Sequence, residues 1–345
     1  MTQHHDTASG KKNVPTGPSR RLQRRLTISA IGCLALAATL PALAQDKFPN
    51  RPVSLIVPFP PGGVADIVAR ALVPALERKF GQSVVVVNKA GAGGAIGAAM
   101  VANAKPDGYT LLMALASVST NPEQEKINNR PPAFTLNQLA PVARITAEDM
   151  MLAVRTESPY KTLADVVADA KKRPGGVSYA SSGPYGVYHV ATEMFADEAN
   201  LKLLHAPYAG GAPAMLALLS GQVDIGLVTR SVGAAQLKAG KIRPLAAWGM
   251  TRWKDYPEVP TVKEAGFNVN YSFWTGMFAP VGVAPEVMKV VREAVQAAVA
   301  DVQFKTSMAA IGAPIIYQDA PEFARYWEND AARVIKVVQK IGKIE

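Results

Sequence analysis

The stretch VPFPPGGVADIVAR, Val57 to Arg70, sets the reading of the whole chain. An apolar run, residues 53–57, stops at Pro58, Pro60 and Pro61 and the pair Gly62-Gly63, and an amphipathic segment begins at Asp66. A β-rich run followed by a stiff, glycine-bearing turn and then helical periodicity is one strand–turn–helix unit. The prolines fix the approach, and the glycines let another group come close to bare backbone. Asp66 is placed to favour the helix start. The same residues also suit an ordinary tight turn, since proline and glycine are the usual turn formers.

The pattern continues outward from this unit. Residues 66–80 have helical spacing, with Ile67, Leu72 and Leu76 on the apolar side. Residues 84–87 are all valine, as in a buried strand, and 94–104 and 110–114 read as helix and strand. The alternation restarts after Val142. Strands are expected at 151–154, 178–181, 203–206, 223–228, 245–249 and 274–280, and helices at 163–172, 187–199, 212–220, 285–299 and 322–341. This is an α/β chain of mainly parallel sheets flanked by helices. Its 345 residues suit about two domains. The expected division is domain one over 48–145 and 250–345 around an inserted domain two, 146–249, with crossings near Arg144 and Ala247 as the hinge.

The formal charge of +10 is inflated by the N-terminus. Residues 1–44 hold six bases and one acid, and the remainder holds 31 bases and 26 acids with no concentrated run, which gives nucleic-acid binding little support. Arg20, Arg21, Arg24 and Arg25 precede an apolar segment, 26–40, and Ala42-Leu43-Ala44. That is the form of an export signal cleaved near Ala44. The competing reading is a retained anchor, which Ser29, Gly32 and Pro41 weaken. A twin-arginine signal at Ser19-Arg20-Arg21 and a lipobox ending at Cys33 are weaker matches. Cys33 is the single cysteine, so a chain cleaved at Ala44 has none, as suits the oxidising periplasm.

Two further turns stand at strand-to-helix junctions. One is Ser181-Ser182-Gly183-Pro184-Tyr185-Gly186, leading to Tyr188 and His189. The other is Tyr208-Ala209-Gly210-Gly211-Ala212-Pro213. In an open α/β sheet, ligands sit beyond the carboxyl ends of the strands, where free backbone N–H groups and the helix dipole suit an anion. Serine hydroxyls here either cap a helix or hold a carboxylate. The glycines of 91–97 miss the dinucleotide fingerprint by one position, and no phosphate loop is present. No zinc-protease helix motif or serine-hydrolase elbow occurs. A Ser182–His189 pair lacks an evident orienting acid. Phe273, Trp274 and Phe278 serve either as core or as cleft lining.

The chain is similar to the Bug-type solute receptors of tripartite tricarboxylate transporters, and the resemblance runs over essentially all of it after the leader. It rests on Phe48-Pro49-Asn50-Arg51-Pro52 with Pro58-Phe59-Pro60-Pro61-Gly62-Gly63 and Asp66. Val87-Asn88-Lys89-Ala90-Gly91-Ala92-Gly93-Gly94, Lys105-Pro106-Asp107-Gly108-Tyr109 and Pro207-Tyr208-Ala209-Gly210-Gly211-Ala212-Pro213 follow in order. The resemblance implies a two-lobed periplasmic binding protein of type II. It implies no enzyme, no cofactor and no metal, and an expected monomer that docks to a two-component membrane permease. It implies that Phe59, Pro60, Pro61, Gly62 and Gly63, with Tyr208, Ala209, Gly210, Gly211 and Ala212, hold one carboxylate through backbone and water. It places the rest of the ligand near Ser181, Ser182, Tyr185, Gly186 and His189, and near Ala116, Ser117 and Ser119. Val64-Ala65 replace a family hydroxyl, and the second turn is aromatic. Both departures suggest a more apolar or aromatic ligand, with Arg230 available to a distal anion. The alternatives are a ligand sensor for a membrane signalling partner and a secreted α/β hydrolase.

Overall fold

Two mixed sheets divide the chain from Phe48 onward. The computed structural model describes residues 10–11, 47–249 and 251–344, so the expected leader lies outside the described residues apart from Gly10 and Lys11. The first sheet contains β1 (Val53–Val57), β2 (Val84–Asn88), β3 (Thr110–Leu115), β4 (Leu139–Glu148), β10 (Phe273–Pro280) and β11 (Ile315–Asp319), in the order β11-β4-β10-β3-β1-β2. The second contains β5 (Met150–Arg155), β6 (Ser178–Ser181), β7 (Leu204–Pro207), β8 (Ile225–Thr229) and β9 (Ile242–Trp248), in the order β7-β6-β8-β5-β9.

The strands that carry the glycine-rich turns run parallel: β1 with β2 and β3, and β6 with β7 and β8. The remaining strands differ from the mainly parallel expectation. β10 is antiparallel to β3 and β4, β11 is antiparallel to β4, and β5 is antiparallel to β8 and β9. The reason is connectivity. β4 passes straight into β5 through Asp149 alone, and β10 returns from the second sheet after residues 249–272. Arg144, an expected crossing, sits inside β4 opposite Gly276. A Cβ on Gly249 would stand 2.6 Å from Asp149 Oδ2, so the two crossings lie side by side.

Helices cover both sheets. α1 (Val64–Phe80), α2 (Ala95–Ala102), α3 (Asn121–Ile127), α8 (Pro285–Ala300), α9 (Val302–Ala310) and α10 (Ala320–Ile341) belong to the first lobe. α4 (Leu163–Lys172), α5 (Val187–Glu198), α6 (Gly211–Ser220) and α7 (Arg230–Lys238) belong to the second. Every residue of β10 is buried, as expected of a central strand covered on both faces. Trp274 and Phe278 are core residues. Trp274 meets Phe323 edge-on at 5.4 Å, and its indole N–H donates to Asp330 at 2.8 Å. Phe273 instead packs on Tyr188 of the second lobe, with ring centroids 5.5 Å apart. Among the described residues no helix is long and apolar enough to cross a membrane.

Candidate functional site

The turns meet where the carboxyl ends of β1, β6 and β7 face one another. Gly62 has φ +80°, a conformation that glycine adopts at little cost, and its N–H donates to Asp66 Oδ2 at 2.9 Å. Asn88 Nδ2 donates to the Phe59 carbonyl and to Asp66 Oδ1, each at 2.9 Å, and Arg70 donates to the same carboxylate. Burial pushes the Asp66 carboxyl up, but the bonds from Arg70, Gly62 and Asn88 outweigh it and hold the group below its ordinary value. Asp66 thus braces the turn from within. α1 starts at Gly63 with no side-chain cap.

The turn 208–210 is its counterpart in the second lobe. α6 starts at Gly210, also without a side-chain cap. The first N–H groups of a helix lack intrahelical partners, so both helices offer free donors. They offer them across the interlobe boundary. A Cβ on Gly62 would lie 3.8 Å from Ala212 Cβ, and one on Gly210 would lie 2.9 Å from Pro60 Cδ.

The second turn packs elsewhere on the first lobe. A Cβ on Gly183 would come within 3.3 Å of Gly93 Cα, and Phe59 covers Gly94. Thr120 Oγ1 donates to the Tyr185 carbonyl at 2.8 Å, and the Tyr185 hydroxyl donates to the Gly342 carbonyl at 2.7 Å. Tyr185 therefore joins the lobes rather than offering a ring face to a ligand. Ser117 Oγ donates to the Gly93 carbonyl at 3.3 Å, and Ser119 Oγ accepts the Trp327 indole N–H at 2.9 Å. Ala116, Ser117 and Ser119 are buried beneath that contact.

Ser181 Oγ lies 2.7 Å from His205 Nε2, while His189 Nδ1 accepts the Tyr185 N–H at 2.9 Å. Among the described residues no hydrogen bond joins Ser182 to His189, whose Nδ1 instead accepts the backbone N–H of the turn. Ser182 is buried and Gly186 begins α5. Arg230 pairs with Asp255 at 2.6 Å and covers the Trp253 ring at 4.2 Å, beside Gly312. Its charge is already partnered, and its partners are not part of the three turns.

Sequence reasoning missed the buried polar residues between the lobes. Glu148, the last residue of β4, accepts the N–H and hydroxyl of Ser231 at 3.0 and 2.8 Å. Burial pushes its carboxyl up to about 7, against the bonds from Ser231 and the charge of Arg230. Glu148 stands beside Asp149, and an acidic pair at a strand end carries no signal that one member will be buried. No group of three metal-ligating side chains occurs among the described residues.

His189 and His205 stack with centroids 4.0 Å apart. Burial, with the His205 charge beside it, lowers His189 to about 3, and burial lowers His205 to about 4. Their folded values lie below the ordinary value, so their contribution to stability is complete above about pH 6.5 and is lost as pH falls toward 4 and 3. Glu148 has the opposite sign, favouring the fold below about pH 4.5 and losing that contribution as pH rises through 7. Asparagine at 189 keeps an acceptor near the Nδ1 position and cannot take up a proton. In denaturant titrations at pH 7.5 and 5, His189→Asn is expected to lose about 2 kcal/mol less stability than the parent. An unchanged pH dependence would contradict the buried neutral pair.

Two lobes that meet at opposed helix N-termini are the architecture that solved periplasmic binding proteins share with this chain. The family model for the tripartite tricarboxylate transporter family receptor matches residues 68–343, and the chain belongs to that family. A UPF0065 protein from the gbd 5′ region of Cupriavidus necator is 32% identical, over 93% of this chain and 98% of its own length. The periplasmic binding protein BugD superposes with a TM-score of 0.79 at 31% identity, over 85% of this chain and 98% of its own. A Rhodopseudomonas palustris protein solved with adipate gives 0.77 at 29%, over 85% and 98%. MatC of that organism, with bound malate, gives 0.79 at 28%, over 84% and 100%.

Proposed function

We propose that this protein is a periplasmic receptor that captures a small carboxylate by closing its lobes and passes it to a two-component membrane permease. The observation that carries this reading is the convergence of two uncapped helix N-termini, α1 from one lobe and α6 from the other, at Gly62 and Gly210–Ala212. Each contributes free N–H donors and the positive end of a helix dipole, and an anion between them ties the lobes together. The carboxylates bound by the adipate and malate complexes of related receptors support this class of ligand. Micromolar binding corresponds to about 8 kcal/mol.

The moving bodies are the two sheets with their helices, divided at Asp149 and at the segment beginning at Gly249, which form the hinge. Two strands joined through one residue form a short hinge of the type that domain closure uses. No covalent chemistry is assigned. Ser181 and His205 are hydrogen-bonded, but the serine is fully buried in the tied turn. An export signal cleaved near Ala44 delivers the receptor to the periplasm.

The test is a thermal-shift screen of purified protein, stripped of ligand by partial unfolding and refolding, against mono-, di- and aromatic carboxylates. The expected result is a melting temperature that rises with the concentration of at least one acid. A folded, stripped protein that responds to none contradicts the reading. Uptake measured after gene deletion separates transport from signalling, and intact uptake with lost ligand response would favour a sensor.

A further inference from the structure

Beside the α6 N-terminus stands a polar group with no partner. Tyr188, in the first turn of α5, is 2% exposed, and among the described residues its hydroxyl has no partner in hydrogen-bond geometry. Thr229 presents its N–H and hydroxyl beside the phenol oxygen, close enough to act on it but outside hydrogen-bond geometry, and its hydroxyl lies 3.1 Å from Ser231 Oγ. The ring is fixed by Phe273 of the opposite lobe, and the backbone carbonyl is engaged by Thr192 Oγ1 at 2.7 Å. The outer edge of the ring lies against the start of α6, with Cε2 3.4 Å and the hydroxyl oxygen 3.5 Å from where a Cβ on Gly211 would sit. A buried hydroxyl without a partner costs roughly 1–3 kcal/mol, so a fold that keeps one needs a reason to do so.

We propose that the Tyr188 hydroxyl is a specificity-determining donor that joins the N–H groups of Gly211 and Ala212 in a three-donor cradle for one carboxylate of the ligand. The inference rests on the carboxylate reading above and adds to it a side-chain donor beside the backbone N–H groups. The chemistry is specific. The phenol is held firmly protonated by burial, and an O–H aimed at a carboxylate forms a charge-assisted bond stronger than one to a neutral group. Phe273 contributes only when the lobes are together, so the hydroxyl is held in position in the closed state. The free Ala212 N–H and the proline at 213, which has no N–H, leave few donors at this end, so the phenol adds a substantial part of the cradle.

The experiment compares the full chain with Tyr188→Phe, using adipate, malate and benzoate as probes, by calorimetric titration and by melting without ligand. The expected result is a loss of at least about tenfold in affinity for the acid that binds the parent most tightly. The unliganded melting temperature stays the same or rises, because the variant removes an unpartnered hydroxyl without changing ring packing. Equal affinity in the two proteins overturns the assignment of Tyr188 and leaves the carboxylate reading standing. A lower unliganded melting temperature with unchanged affinity marks the hydroxyl as structural and also overturns it. A parent protein that binds none of the three acids, nor any other carboxylate, removes both readings.

Discussion

Gly210→Val is expected to weaken carboxylate binding by about a hundredfold while leaving the unliganded melting temperature within a degree or two. The backbone at Gly210 is extended, with φ 164° and ψ 179°, so a side chain brings no local strain. The obstacle lies across the cleft. A Cβ there would stand 2.9 Å from Pro60 Cδ and 4.0 Å from Phe59 Cδ1, and a proline ring on a stiff turn has little room to retreat. Overpacking of this kind costs about 1–3 kcal/mol. Here the cost falls only on the closed state, so it appears as lost affinity, tenfold for each 1.4 kcal/mol. Alanine, with the Cβ alone, is expected near the lower end, about tenfold. Titration calorimetry reads the affinity, and small-angle scattering with saturating ligand reads closure. A valine variant that binds as tightly as the parent would mean that the two turns do not approach one another when ligand is held.

Trp274→Ala is expected to destabilise the protein by about 3–5 kcal/mol and to leave the ligand site intact. The indole is fully buried, packed on Phe323, Phe278 and Tyr326, and its N–H is one of two donors to the buried Asp330 carboxylate. The substitution opens a cavity and removes one of the bonds that compensate a buried charge. The melting temperature should fall by roughly 5–10 °C. Affinity at a temperature where the variant is folded should hold within about twofold, because the indole lies in the first-lobe core. A large loss of affinity with little loss of stability would place Trp274 in the cleft instead.

The units β1–α1, β2, β3 and β6–α5 were legible because each pairs an unbroken apolar strand with a strong turn signal and a periodic helix. No strand is expected over 139–148 from the sequence, where β4 lies. Pro141 interrupts it, and proline removes a ladder donor. The structure accommodates it where the register with β10 shifts, between Met277 and Phe278. α7 escaped notice because Gly233 and few apolar residues blur its period. Short, half-exposed β11 gave too little contrast. The turns themselves could be located, since they follow strand ends by chemistry local to each. Which turn faces which could not be read. Pro60 against Gly210, Gly93 against Gly183 and Tyr185 against Gly342 are contacts between distant parts of the chain, set by how the two sheets close. The unpartnered Tyr188 hydroxyl belongs to the same category. Its ring appears in the sequence, but its lack of a partner appears only after packing.

Whether an anion is held between the N-termini of α1 and α6 is tested by a calorimetric titration of the stripped protein with a carboxylate and with its neutral amide of the same shape. The acid is expected to bind at micromolar concentration and the amide at least about a hundredfold more weakly, because both helix ends and their free N–H groups act on the charge. Equal binding of acid and amide, or tighter binding of the amide, would contradict an anion site between the helix ends.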